Sequence, residues 1–231
     1  MIDLHKSEER GKANYGWLDT KYSFSFANYH NPKKMGFGKL RVLNDDIVAP
    51  GKGFGTHGHD NMEIITLVLE GTLEHKDSMG NHGIIKTGEV QRISAGSGIK
   101  HSEFNHSKEE PVHLLQIWVE PKEEDITPSY EQKSFEKIEK NTLFPLVLGK
   151  KSKDALVMHQ DGGFYLAKLD AKKNVEHPLP KGHGAYVFVI SGEITLGKHT
   201  LSQGDAAAIS GELVEIISKK SSQALLIEVP L

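Results

Sequence analysis

Apolar residues along the chain come in short runs of four to eight, several of them alternating with polar residues. "GKLRVLN", "EIITLVL", "GTLEH", "GIIKTG", "EVQRIS" and "HLLQIWV" follow one another as far as Val119, bounded by Gly, Asn, Asp or Pro. This rhythm predicts an antiparallel sandwich or barrel, not helices alternating with strands. "DSMGNHG" (Asp77 to Gly83) predicts the turn joining two strands. From Pro121 to Lys140 the pattern lapses into a charged stretch with two prolines, which reads as a surface connector with a short helix near Ser134 to Lys140. The strand rhythm then returns in "LFPLVL", "FYLAKL", "AYVFVIS", "EITLG", "AAAIS", "VEIIS" and "ALLIEV". The expected division is therefore an N-terminal unit at 1–134 and a C-terminal unit at 135–231.

The two units look related. "TLVLEGTLE" (Thr66 to Glu74) matches "VFVISGEIT" (Val187 to Thr195), each a buried strand, a glycine turn and a new strand. "GEVQRISAG" (Gly88 to Gly96) matches "GDAAAISG" (Gly204 to Gly211), in the same order. Two ordered matches point to an internal duplication of a β unit, against the plainer reading that β domains share turn grammar.

Composition narrows the chemistry. The 28 basic and 31 acidic residues leave a net charge of −3, which offers no electrostatic case for nucleic acid or an anionic membrane. No apolar stretch reaches the roughly 20 residues of a membrane helix, and the charged N-terminus lacks the apolar core of a signal peptide, so a cytoplasmic protein is expected. Nothing in the pattern demands more than a monomer. Cysteine is absent, so a metal would have to be held by nitrogen and oxygen.

"THGHDNMEI" supplies such donors. Residues two apart on a strand point to one face, so His57 and His59 aim their rings together. "KHSEF" repeats the geometry with His101 and Glu103. Three imidazoles and one carboxylate suit a first-row divalent metal: Fe, Mn, Co, Ni, Cu or Zn. Among 13 histidines, H-x-H alone is more often a surface strand. The case here rests on two strand-spaced pairs, each behind a glycine-rich segment in a β framework. The other histidines near this region, His75 among them, are assigned solvated or structural roles. Glu63 stays open: by strand parity it could share the face of His57 and His59 and ligate in place of Glu103, or act from outside the ligand set as a proton acceptor.

These residues resemble the cupin motifs. Gly51, His57, His59, Glu63 and Gly71 follow the first, with Gly71 one residue later than usual. Gly98, His101 and Asn105 follow the second, with Gly96 where cupins usually have proline. More narrowly, "SFSFANYHNP", "LRVLNDDIVAPGKGFGTHGH", "VLEGTLEHKDSMGN", "SAGSGIKHSE" and "VHLLQIWVEP" resemble the pirin family over nearly the whole chain, with bacterial pirin-like quercetinases the nearest in kind. The resemblance implies two tandem cupin barrels of jelly-roll type, metal-binding in the first and degenerate in the second. It also implies His57, His59, His101 and Glu103 as ligands of one divalent metal, iron first, leaving Glu63 outside the set. Counting back from Gly192 as the two histidines precede Gly71 reaches Pro178 and Pro180, which cannot ligate; His177 and His183, nearby, are set aside as ligands.

The activity implied is quercetin 2,3-dioxygenation, in which a flavonol and O2 meet at the metal and carbon monoxide is released. Glu103 is the first choice of base and Glu63 the second. Phe26, Phe37 and Met62 are candidate substrate contacts, with a plain core role expected of each. The animal pirins imply a competing reading, a metal-binding regulator that acts through protein partners.

Overall fold

Each of the thirteen apolar runs quoted above forms a strand in the computed structural model, which describes all 231 residues. The first half contains β1 (Ile2–His5), β2 (Gly11–Asn14), β3 (Leu18–Tyr22), β4 (Leu40–Val48), β5 (Gly53–His59) and β6 (Glu63–Glu70). It continues with β7 (Thr72–Asp77), β8 (His82–Lys86), β9 (Glu89–Ser94), β10 (Ile99–Asn105), β11 (Val112–Val119) and β12 (Ser129–Ser134). The second half begins with β13 (Leu143–Leu148), β14 (Leu156–Val157), β15 (Gly163–Leu169), β16 (Asn174–Pro178) and β17 (His183–Ser191). It ends with β18 (Glu193–Leu196), β19 (His199–Ser202), β20 (Ala206–Ser210), β21 (Leu213–Ser218) and β22 (Ser222–Pro230). No helix is long and apolar enough to cross a membrane.

Each half is a seven-stranded sheet over a four-stranded one. The large sheets run β12-β9-β6-β11-β4-β3-β2 and β1-β20-β17-β22-β15-β13-β14. The small sheets run β5-β10-β7-β8 and β16-β21-β18-β19. The orders match in all but the outermost strands of the large sheets, where β14 pairs parallel and β2 antiparallel, and both quoted repeats fall on matching turns. Gly71 and Gly192 have φ of +81° and +86°, a left-handed conformation that glycine adopts without a Cβ penalty. The structure therefore carries the duplication in its pairing as well as in its sequence.

The large sheets face each other across a cluster of 23 buried residues drawn from both halves, including Ile65, Leu67 and Ile117 from one and Phe164, Tyr186 and Ile227 from the other. Two expectations about the connector change. Ser129–Ser134 is a strand that pairs with β9, and no helix follows it. The reason lies in Phe135: its backbone N–H donates to the Gly88 carbonyl (2.9 Å) and its ring is buried in the core between the halves, so the chain stays extended there. A further difference is that β1, expected with the first unit, pairs antiparallel with β20 of the second.

The interiors of the two barrels differ. Sixteen buried apolar residues fill the second. In the first, clusters of seven and four apolar residues flank a polar layer made by Thr66, Gln91, His101, Glu103 and Gln116. Register shows the substitutions. Val187, Ala207 and Leu226 stand where the first half has Thr66, Gln91 and Gln116, and Val214 and Ile216 stand where it has His101 and Glu103.

Candidate metal centre

β5 and β10 are antiparallel neighbours, and their register sets His57 directly opposite His101, with Ile99 opposite His59. Alternation on β10 turns Ile99, His101, Glu103 and Asn105 inward, as their burial shows. One nitrogen from each of His57, His59 and His101 can be chosen so that all three lie within 4.8 Å of one another. The ring centroids of His57 and His101 are 4.5 Å apart, and those of His57 and His59 are 4.8 Å apart.

The protonation state suits ligation. Burial is the main force lowering His101 to about 3 and His59 to about 4, with the neighbouring imidazoles adding to it. Both rings are therefore neutral at pH 7, as a metal ligand must be. His57 donates Nδ1–H to the Gly55 carbonyl at 2.8 Å, which leaves Nε2 as its free donor atom. His101 is buried with both ring nitrogens unpartnered in the chain. A buried polar atom without a partner is costly, and a cation at the convergence of the three rings would relieve that cost. The residues present fit a divalent transition metal.

Glu103 lies two residues after His101 on the same inward face of β10. Its Oε1 accepts from Gln91 Nε2 (2.7 Å) and Thr66 Oγ1 (3.4 Å), and its Oε2 accepts from Gln116 Nε2 (2.9 Å). It forms a second donor cluster with His101 and His75, again within 4.8 Å. Of the two roles expected of His75, solvated or structural, its full burial leaves the structural one. Its ring stacks on Tyr130 (4.6 Å, 17°), and its Nε2 bonds Asp77 Oδ2 at 3.1 Å. Burial pushes the Asp77 carboxyl up, but hydrogen bonds from Asn81 and His75 outweigh it and hold the group below its ordinary value. The H-x-D spacing of His75 and Asp77 was the available signal.

Glu63 is not brought to this site. Strand parity does not carry from β5 to β6, because Asn61 between them has φ of +45° and turns the chain. On β6, Glu63 shares the face of Ile65 and Leu67 toward the other half, while Thr66 on the opposite face reaches Glu103. Glu63 Oε2 accepts from Ser94 Oγ at 2.8 Å, and burial raises its carboxyl.

The ligand positions open onto a cavity of about 210 Å³ walled by Leu18, Tyr22, Phe26, Phe54 and Trp118 beside His57 and His59. Phe26 thus departs from the core role expected of it: it lines this slot edge-on to Trp118 (5.3 Å, 85°). Phe37 and Met62 do not line it; Phe37 packs against the core between the halves, and Met62 against the Ile64 cluster. Gly96, at the usual proline position of the second motif, has φ of +46°, which proline cannot adopt, and a Cβ there would strike the Ile126 carbonyl.

In the second half, pairing corrects the count made on sequence. His177 lies opposite Val214 as His57 lies opposite His101, so His177 and Leu179, not Pro178 and Pro180, hold the positions of the H-x-H pair. Three of the four ligand positions there are Leu179, Val214 and Ile216, none of which can bind a metal. His177 instead bonds Glu228 Oε2 at 2.6 Å, and His183 bonds Glu228 Oε1 at 2.8 Å.

Comparison with known proteins agrees with this geometry. Residues 4–119 match the Pirin family model, and residues 146–229 match the quercetinase C-terminal cupin domain. The chain belongs to the pirin family. Among pirins and their relatives, the quercetin 2,3-dioxygenase of Escherichia coli (strain K12) is 45% identical, over 100% of this chain and 99% of the relative. The crystal structure of YhhW from Escherichia coli superposes with a TM-score of 0.96 at 43% identity, over 100% of this chain and 98% of that one. The bacterial pirin YhhW in complex with nickel(II) gives 0.95 at 42%, over 100% and 99%. The match of this pirin to both structures covers the metal-centre half and the apolar half alike.

Proposed function

We propose that this pirin is a metal-dependent quercetin 2,3-dioxygenase, which opens the central ring of a flavonol with O2 and releases carbon monoxide. The observation that carries the reading is the convergence of three imidazoles, one of them buried with both nitrogens unpartnered, beside a slot walled by aromatic side chains. Full-length kinship to a quercetin 2,3-dioxygenase supports it.

His57, His59 and His101 would hold the metal, with Glu103 as fourth ligand. We assign iron first, although nitrogen and carboxylate donors also accept Zn, Ni, Cu, Mn or Co, and a relative was solved with nickel(II). When bound, the metal supplies Lewis acidity toward an ionised enol and a centre at which dioxygen can react.

The chain's own residues do the rest. Trp118, Phe26 and Phe54 offer faces and edges to flat aromatic rings and keep water away from the reacting end. Gln91 and Gln116 hold the Glu103 carboxylate in one orientation through an amide on each oxygen. Glu103 takes the proton of the flavonol 3-hydroxyl. Glu63, on the far face of β6, has no part in this step.

Oxygen uptake and carbon monoxide release with quercetin test the reading. Both should be lost in His57→Ala and His101→Ala proteins whose circular dichroism remains that of a folded β protein. Metal-loaded wild-type protein that consumes no oxygen with any flavonol would refute the reading.

A further inference from the structure

The slot also carries polar groups that the scheme above does not use. On β4, Asn44 and Asp46 point into the slot, while Asp45 between them points out. The two adjacent aspartates have opposite fates. Asp45 is paired, accepting from Arg10 Nη1 at 3.1 Å and bonding His113 Nε2 at 2.6 Å. Asp46 is 4% exposed and Asn44 3%, and the Oδ1 atom of each finds no hydrogen-bond partner within the chain. Burial pushes the Asp46 carboxyl up to about 7; the nearby Thr20 hydroxyl offsets part of this, and Asp45 and Glu103 add to it. A carboxylate held in this way destabilises the fold unless a donor reaches it.

Neither group serves the metal. Asp46 belongs to neither donor cluster, although it shares a cavity with His57, His59 and Glu103. Nor does barrel closure require these groups. In the second half the register positions of Asn44 and Asp46 are Tyr165 and Ala167, and that barrel closes over an apolar interior. At these two register positions the carboxamide and carboxylate of the first half give way to a phenol and a methyl group in the second.

The slot's size bears on what reaches Asp46. At about 210 Å³ it lies below the ~300–1,000 Å³ of sites that enclose a whole drug-sized ligand, so it takes one ring system while the remainder lies across the mouth. A shallow depression of about 530 Å³ beside Gly58, His59 and Asp60 adjoins that mouth.

We propose that Asp46, seconded by Asn44, accepts hydrogen bonds from phenolic hydroxyls on the ring that occupies the slot, and so selects polyhydroxylated aromatic ligands over unhydroxylated ones. The proposal rests on the dioxygenase reading for its ligand class. Asp46 and Asn44 are specificity residues in it and take no part in the chemical step. A buried acceptor built for a hydroxyl discriminates by rejection as well as attraction, because a ligand without the hydroxyl leaves the carboxylate dry and unpaired.

The test compares quercetin with 3-hydroxyflavone, which keeps the metal-facing oxygens and lacks the hydroxyls on the outer rings. Dissociation constants are read from tryptophan fluorescence, since Trp118 lines the slot, with metal-free and metal-loaded protein, and kcat/KM is measured alongside. Wild-type protein should favour quercetin by about 10- to 100-fold. In Asp46→Ala that ratio should fall to within about threefold, through weaker quercetin binding, with a smaller fall in Asn44→Ala. Asp46→Asn, which keeps the side-chain shape, provides the same comparison should the alanine variant fail to fold, and its ratio should fall in the same direction. An unchanged ratio in the Asp46 variants, equal binding of both flavonols by wild type, or binding of neither would overturn the proposal. Discrimination in binding without turnover would refute the dioxygenase reading and leave this subsite standing, whereas turnover without discrimination would do the reverse.

Discussion

Thr66 and Val187 occupy the same position in the two halves, each five residues before a left-handed glycine, yet Thr66 donates toward Glu103 and bonds Gln116 while Val187 packs among hydrocarbon. That single difference stands for a whole layer. A barrel filled with apolar side chains is stable by packing alone, whereas one with buried imidazoles and a carboxylate depends on something to satisfy them.

The first prediction follows from that dependence. Wild-type protein should carry about one metal per chain, and His101→Ala close to none, by elemental analysis. Metal at about 100 times its dissociation constant stabilises by ~2.7 kcal/mol, and for a chain of this size each kcal/mol moves Tm by about 2–4 °C. Chelation should therefore lower the wild-type Tm by roughly 5–10 °C and leave that of His101→Ala unmoved.

Glu63 and Glu103 should separate cleanly. Glu63→Gln keeps a hydrogen-bonding partner for Ser94 and lies on the other face of β6, so metal content and turnover should match wild type. Glu103→Gln should lose at least tenfold in turnover and part of its metal. The opposite pattern in elemental analysis and oxygen uptake would reverse the assignment of the two carboxylates.

Asp46 makes a pH prediction with a definite sign. Its folded carboxyl, at about 7, lies above the value of about 3.8 expected when unfolded. Between these values the native state holds the extra proton, so this group's contribution is most favourable below about pH 4 and declines as pH rises to 7. Asp46→Asn removes the decline. Urea unfolding should show the variant more stable than wild type above pH 7, on the order of a few kcal/mol, with the gap closing toward pH 4.

In the second half Glu228 bridges two imidazoles, with side chains 7%, 12% and 17% exposed for Glu228, His177 and His183. Removing the carboxylate strands two buried ring nitrogens. Glu228→Ala should cost about 2–4 kcal/mol in urea unfolding. Turnover at a temperature well below Tm should be preserved, because the triad lies in the other barrel.

The sequence revealed most where function is carried by local periodicity. His57 with His59, and His101 with Glu103, could be paired because alternation along a strand is obligatory, and the doubled β unit showed through its glycine turns. Parity failed at Glu63 because a single turn at Asn61 resets it. Counting failed by one residue at His177 because connections, unlike strands, vary in length. His75 and Asp46 were missed since each reads as an ordinary polar residue until cross-strand neighbours bury it. The pairing of β1 with β20 leaves no local trace at all, because its partner lies some 200 residues away.

That pairing sets an order of events in folding. The Met1 amino group donates to the Ser210 carbonyl, and Ile2 sits across from Ile209. β1 therefore waits for a strand some 200 residues further along the chain before it has a partner, and closing so long a loop is slow. Until it closes, β20 stays a bare sheet edge, open to pairing with a neighbouring molecule. Any change that weakens β1, such as a proline at Asp3 or Leu4, would lengthen the time that edge is exposed and favour aggregation over maturation.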